Sequence, residues 1–139
     1  LTTLQRIVTN VDKKVGKKKL YAKMRIGELL LCQEVVAGLG NIYRAEALYL
    51  SNLSPFVTWS ALTRDEKLKL IENACIVLNI AYFTKGLMHY PDELLVKNKL
   101  PPQTVSCRTF VYKQATTPFG EPVCNQVMGS RTIWYANLR

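Results

Sequence analysis

The 139 residues are 48% hydrophobic and carry a net charge of +9. That composition supports a packed core and excludes a disordered tail. Apolar runs of only a few residues exclude a membrane-spanning helix, so no membrane partner is expected. Leu1 is the first residue and no signal peptide is visible, so the chain reads as part of a longer protein.

Charge is unevenly placed. Arg6, Lys13, Lys14, Lys17, Lys18, Lys19, Lys23 and Arg25 stand against Asp12 alone in residues 1–25, whereas residues 26–100 are balanced. Arg108, Lys113, Arg131 and Arg139 against Glu121 make the end basic again. Clustered positive charge fits a polyanion partner, or a solvated lysine face. Cys32, Cys75, Cys107 and Cys124 form no Cys-x-x-Cys pair, and His89 is the one histidine, so the usual zinc-site pattern is missing and neither metal nor cofactor is expected. Cys32 and Cys75 fall on apolar helical positions and are expected to be buried thiols in a reducing, intracellular setting.

Leu4, Ile7, Val8, Val11 and Val15 recur at helical spacing, and Gly16 offers a stop. Lys17 to Arg25 reads as a basic connector, so residues 1–25 form a lead-in. A second helix is predicted over Gly27 to Ala37, with Leu30, Leu31 and Val35 on it. Asn41 would N-cap a third, Ile42 to about Leu50, with Ile42, Ala45, Leu48 and Tyr49 facing the core. Pro55 forbids its continuation. Thr63-Arg64-Asp65-Glu66 is a capping box opening the longest helix, to Lys85, with Gly86 at its end. Leu68, Ile71, Ala74, Cys75, Leu78, Ala81 and Tyr82 are its predicted buried stripe.

Leu87 to Thr104 has no period and holds Pro91, Pro101 and Pro102, so a long connection is predicted. Arg108 to Tyr112 reads as an extended segment and Phe119 to Pro122 as a turn. Val123–Met128 and Arg131–Tyr135 flank Gly129-Ser130, a two-residue loop suited to a type II′ hairpin that pairs Met128 with Arg131. The fold class is therefore mostly α: a bundle of about four helices over 26–100 and the lead-in, then a small antiparallel β-hairpin in 101–139.

The chemistry centres on Val36-Ala37-Gly38-Leu39-Gly40-Asn41-Ile42-Tyr43. Two glycines at a helix start leave backbone amides open to close approach, which suits a phosphate. Close helix packing and a helix-hairpin-helix turn, a non-catalytic DNA-binding module, read the same glycines differently.

Gln33, the Ala-Gly-x-Gly-Asn-x-Tyr run of Ala37 to Tyr43, Glu46-Ala47-Leu48 and Pro55 follow one another in an order that resembles the formamidopyrimidine-DNA glycosylase and endonuclease VIII family of base-excision-repair enzymes. Phe110-Val111-Tyr112, Gly120 to Cys124 and Arg131 to Tyr135 resemble the approach to and second strand of that family's zinc finger. Only Cys124 matches a zinc-ligand position, and Ala136-Asn137 stand where the last pair would begin. The hairpin thus resembles the zincless finger of the endonuclease-VIII-like branch, known from vertebrates, plants and a giant virus, with Phe110, Val127, Ile133 and Trp134 as candidates to hold it.

The resemblance implies a helix-two-turn-helix domain in a glycosylase and AP lyase that removes oxidised bases. Its partner would be duplex DNA with a damaged base or abasic site, bound as a monomer. DNA-phosphate contacts are expected from Gly38, Gly40, Asn41, Arg44 and Arg131, with Tyr43 packed and Glu46 a structural acceptor. In the family, an N-terminal proline and an adjacent glutamate do the cutting; Leu1 and Thr2 are neither, so no catalytic residue is expected here.

Overall fold

The computed structural model describes residues 2–86, 89–101 and 109–136. Helix α1 covers Thr3–Lys17, α2 Lys19–Lys23, α3 Ile26–Leu29, α4 Asn41–Leu50, α5 Arg64–Thr84 and α6 Asp92–Lys97, with a 3-10 turn at Trp59–Ala61. Strands β1 (Val123–Met128) and β2 (Arg131–Ala136) form an antiparallel pair in which Met128 faces Arg131. Gly129 takes φ 69°, and Ser130 is not among the residues with positive φ, so the loop is of type II′. A mostly helical bundle followed by a small hairpin is thus the observed fold.

The helices start where local chemistry says they should. Thr2 accepts from the Gln5 amide and its own amide donates to the Gln5 side chain, closing a capping box on α1. Thr63 and Glu66 do the same for α5. At the far end of α5, Lys85 turns left-handed at φ 55° and the Gly86 amide reaches back to the Ala81 carbonyl.

α1 packs on α2 and α5; α4 lies between α5 and β2. Val8, Val11 and Val15 of α1 share one buried cluster with Leu70, Ile71, Ala74, Val77, Ile80 and Ala81 of α5 and with Ala45, Ala47 and Leu48 of α4. Burial of such aliphatic side chains contributes about 1.5–3 kcal/mol each.

Several expectations need correction. α1 runs through Gly16, because a glycine that meets no neighbouring atom does not by itself end a helix whose other face is buried. The basic connector contains the short α2, pinned by Tyr21, which is buried and donates its hydroxyl to Glu34. The helix expected over Gly27 to Ala37 stops at Leu29; turns follow, and Leu30, Val35 and Leu39 bury themselves from irregular backbone. On α5, Ile71, Ala74 and Ala81 of the expected stripe are buried, but Tyr82 is 82% exposed and the buried face also takes in Leu70, Asn73, Val77 and Ile80. Cys32 and Cys75 are half-buried, not buried.

The expected long connection contains α6, whose first turn holds Asp92 and Glu93 next to the positive helix end. Residues Leu87, Met88 and 102–108 lie outside the described residues, and with them parts of that connection, Cys107 and Arg108. Thr109 to Tyr112 is a bend and turn, not a strand, for a reason that Glu46 supplies below. Val127 is 72% exposed and does not hold the hairpin; Met128 and Ile133, at 1% and 0%, do.

Candidate nucleic-acid interface

The glycine turn is built from its backbone outward. Gly38 sits at φ 86°, a conformation that costs an L-residue about 1–2 kcal/mol. Its amide is not open: it donates to Gln33 Oε1 at 2.9 Å, while Gln33 Nε2 donates to the Leu39 carbonyl at 3.3 Å. One glutamine amide therefore closes the turn from both sides, which corrects the reading of Gly38 as a free donor. Gly40, not Asn41, is the N-cap of α4, and Asn41 is the first helical residue. The Gly40 carbonyl accepts from the Arg44 amide at 3.0 Å, so the helix begins there. Among the described residues, the amides of Gly40, Asn41, Ile42 and Tyr43 have no protein acceptor, and they carry the partial positive charge of the α4 dipole.

Asn41 is oriented by Arg44. Arg44 Nε donates to Asn41 Oδ1 at 2.9 Å, which commits that oxygen and leaves the Asn41 amino group as a pair of donors. Arg44 itself is 0% exposed, so it is not the surface arginine that its sequence position suggests. Its Nη1 donates to the Gly27 carbonyl at 2.6 Å, and its Nη2 is buried without a partner. Burial draws the guanidinium down to about 10; the neighbouring Arg131 charge pulls the same way and Glu28 opposes both. Glu28 is already engaged by Arg25 Nε at 2.9 Å. Arg44 thus stays cationic at neutral pH with an orphan donor and little compensating charge, an arrangement that an added anion relieves.

Arg131 comes from the other end of the chain. It is exposed, beside the hairpin tip, and paired across the strand with Met128. Met128 is seated against Gly27: a Cβ on Gly27 would lie 2.5 Å from the Met128 sulfur and 3.2 Å from the Pro55 carbonyl oxygen. The Gly27 amide also donates to that Pro55 oxygen at 2.9 Å. Gly27 therefore accepts Arg44 with its carbonyl and the hairpin with its bare α-carbon. Sequence reading missed it; a glycine in the first turn of a short amphipathic segment was its only signal.

Behind the turn, Glu46 is fully buried and accepts from Tyr90 Oη, Phe110 N, Val111 N and Tyr112 N at 3.0, 2.6, 2.9 and 3.2 Å. Burial pushes its carboxyl up and these four donors pull it back. Tyr43 is half-buried, with its ring over Gly40, and Trp134 is half-buried with its ring edge toward Tyr112. Among the described residues no cluster of His, Cys, Asp or Glu could hold a metal ion, and no helix is long and apolar enough to cross a membrane.

Known proteins resemble this chain in sequence and in fold. Formamidopyrimidine-DNA glycosylase of Prochlorococcus marinus (strain MIT 9312) is 39% identical over 70 residues, 50% of this chain and 24% of the relative. That of Vibrio parahaemolyticus is 29% identical over 129 residues, 91% of this chain and 45% of the relative. The chain therefore spans less than half the length of these curated relatives. Among solved structures, MutM (Fpg) from Thermus thermophilus superposes with TM-score 0.67 at 27% identity, over 93% of this chain and 48% of that one. Lactococcus lactis Fpg bound to DNA containing an AP site gives TM-score 0.63 at 23% identity, over 91% and 44%. A viral DNA glycosylase shares the fold at TM-score 0.66 and 16% identity, over 91% and 44%, which does not single out a viral branch. Residues 5–89 match the family model described as the formamidopyrimidine-DNA glycosylase H2TH domain. With that match running from α1 through α5, over more than half of the chain, the protein belongs to the formamidopyrimidine-DNA glycosylase H2TH family.

Proposed function

We propose that this chain is the phosphate-gripping part of a base-excision-repair glycosylase and AP lyase, and that it clamps duplex DNA around a damaged or abasic nucleotide. The observation that carries the reading is the buried Arg44 with its unpartnered Nη2, set between Asn41 and Arg131 beside the open amides of α4. A phosphate there would accept from the Asn41 amino group and from the amides of the helix start, with the buried Arg44 cation close behind them, and Arg131 would close over it from the hairpin. Charge-assisted contacts of this kind are roughly twice as strong as neutral ones. Gly40 supports the same reading. Its φ of −95° suits any residue and a Cβ there would meet only the Tyr43 ring at 3.7 Å, so the free chain does not need a glycine; a closely approaching backbone does.

The cutting chemistry belongs to the proline and glutamate of the family's N-terminus, and we assign no residue of this chain to it. The hairpin acts as a zincless finger of the endonuclease-VIII-like kind. Met128 and Ile133 bury its inner face and Phe56 meets the Tyr135 ring edge-on, which supplies the docking that an isolated hairpin needs. Metal analysis is expected to find no stoichiometric zinc, and a chelator should leave DNA binding unchanged.

The test is binding of the 139-residue chain to a duplex bearing a tetrahydrofuran abasic analogue, followed by fluorescence anisotropy. Asn41→Ala and Arg131→Ala are each expected to lose about tenfold or more in affinity, as for a hydrogen bond to a charged group. Arg131→Ala should also lower the slope of log affinity against log salt by about 1, whereas the uncharged Asn41→Ala should leave the slope unchanged. Borohydride is expected to trap no covalent adduct with abasic DNA. Full affinity in both variants would remove the proposal.

A further inference from the structure

Asn41 and Arg131 are 90 positions apart in sequence, on different elements, and a phosphate clamp works only if their separation is fixed. The hydrogen bonds show what fixes it. Glu46 lies on α4, the same helix that begins at Asn41. Its carboxylate takes three consecutive backbone amides, Phe110, Val111 and Tyr112, together with the Tyr90 hydroxyl. Successive amides converging on one anion form a nest, a backbone concavity that negative charge stabilises. This is why Thr109 to Tyr112 bends where an extended segment was expected. Thr109 and Gln114 tighten the bend, the threonine hydroxyl donating to the Tyr112 carbonyl and the Gln114 amide to the threonine.

From that nest the chain runs into the hairpin. A second tie follows one turn along α4, where Tyr49 donates its hydroxyl to Glu121 at 2.6 Å, two residues before β1. The Tyr49 and Phe110 rings stack at 5.4 Å between the two ties. The hairpin's entry is therefore anchored to α4, and its tip rests on Gly27, which Arg44 of α4 holds.

We propose that Glu46 is a positioning residue: it sets the place of Arg131 relative to Asn41 by holding the 110–112 nest on the back of α4, and so couples the two halves of the clamp without touching DNA. This rests on the clamp reading. Glu46→Gln keeps the size of the side chain but turns one acceptor into a donor facing amide hydrogens, so the nest opens while the helix and its aliphatic core remain.

The experiment is a pair of double-mutant cycles on binding to the abasic duplex, at a temperature where circular dichroism shows native helix content. Glu46→Gln is expected to lose affinity to within about twofold of Arg131→Ala and to lower the salt slope by the same step. Adding Arg131→Ala to Glu46→Gln should then cost no more than about a further twofold. Adding Asn41→Ala should still cost its full factor, because the helix start is untouched. General loosening would shrink both steps together. Full additivity of Glu46→Gln with Arg131→Ala overturns the proposal. So does loss of the folded state in both Glu46→Gln and the shorter, still charged Glu46→Asp, for the acid would then be a requirement of folding and not a coupling. If Asn41→Ala and Arg131→Ala leave binding intact, it is the clamp itself that fails, a separate result.

Discussion

Three glycines at this site do three different things, and substitution by alanine separates them. Gly38 is required by conformation: at φ 86° with open space around it, Gly38→Ala should destabilise by about 1–2 kcal/mol with no steric conflict. Gly27 is required by packing, and the Pro55 backbone beside it cannot yield as the Met128 sulfur can. Gly27→Ala should cost about 1–3 kcal/mol through overpacking and displace the hairpin tip. Gly40 has neither constraint, and alanine is only a poorer N-cap, so Gly40→Ala is expected to cost less than about 1 kcal/mol of stability while weakening DNA binding. A Gly40→Ala chain that is destabilised yet binds normally would show that the glycine serves the fold and not a ligand. Arg44 follows the same logic. Arg44→Ala strands the Gly27 carbonyl in a buried place, worth about 1–3 kcal/mol, and frees Asn41 to rotate, so stability and binding should fall together.

At the scale of elements, the link between α1 and α5 carries a pH signature. Asp12 on α1 accepts from Trp59 Nε1 at 2.7 Å and from Lys67 Nζ at 3.0 Å on α5. Partial burial would raise its carboxyl, but those hydrogen bonds and the Lys67 and Arg64 charges outweigh it and hold it below the ordinary 3.8. A carboxyl whose folded pKa is depressed adds stability that is complete above its unfolded pKa, about 3.9, and is lost as pH falls through the folded value. Asp12→Asn should therefore be less stable than the parent near neutral pH, with the gap closing on acidification below about pH 4. A gap that stays constant in urea melts down to acid pH would show that charge is not what Asp12 contributes. The elements themselves were largely legible in the sequence. The capping box at Thr63, the glycine loop of the hairpin and the span of α4 are local signals that the sequence reading used; the box at Thr2, equally local, went unread, as did α2 and α6. What was illegible depends on distant partners. Periodicity turns Arg44 and Glu46 outward, and only the family resemblance marks Glu46 as a structural acceptor; both are buried, because their partners are Gly27 and the amides of 110–112, 17 and 64 or more positions away. Likewise α3 ends at Leu29 and Gln33 closes the later glycine turn with its side chain, a contact that no helix propensity reports.

For the molecule as a whole, the division between a basic first helix and a compact grip suggests two separable contributions to binding. Lys13, Lys14, Lys17, Lys18, Lys19 and Lys23 are all exposed. Lys14 lines one groove with Val35, Val36 and Ala37, and Lys18 Nζ is 3.6 Å from Glu34, so these two lysines lie near the segment that leads into the glycine turn. Exposed lysines act on a polyanion at long range, through counterion release, and read no feature of the backbone. Asn41, tied in place by Arg44, acts at one phosphate and is sensitive to its position. The triple change Lys14→Gln, Lys17→Gln, Lys19→Gln is therefore expected to weaken binding to intact and abasic duplexes by the same factor and to reduce the salt slope by up to about 3. Loss of favourable charge at the end of α1 should lower stability by no more than about 1 kcal/mol, which a thermal melt will check. Asn41→Ala, in contrast, is expected to narrow the preference for the abasic duplex, because a distorted backbone meets the clamp where an undistorted one does not. The two variants thus move different quantities, total affinity in one and the ratio of affinities in the other. A lysine-depleted chain that changes the ratio would mean that α1 takes part in reading the lesion.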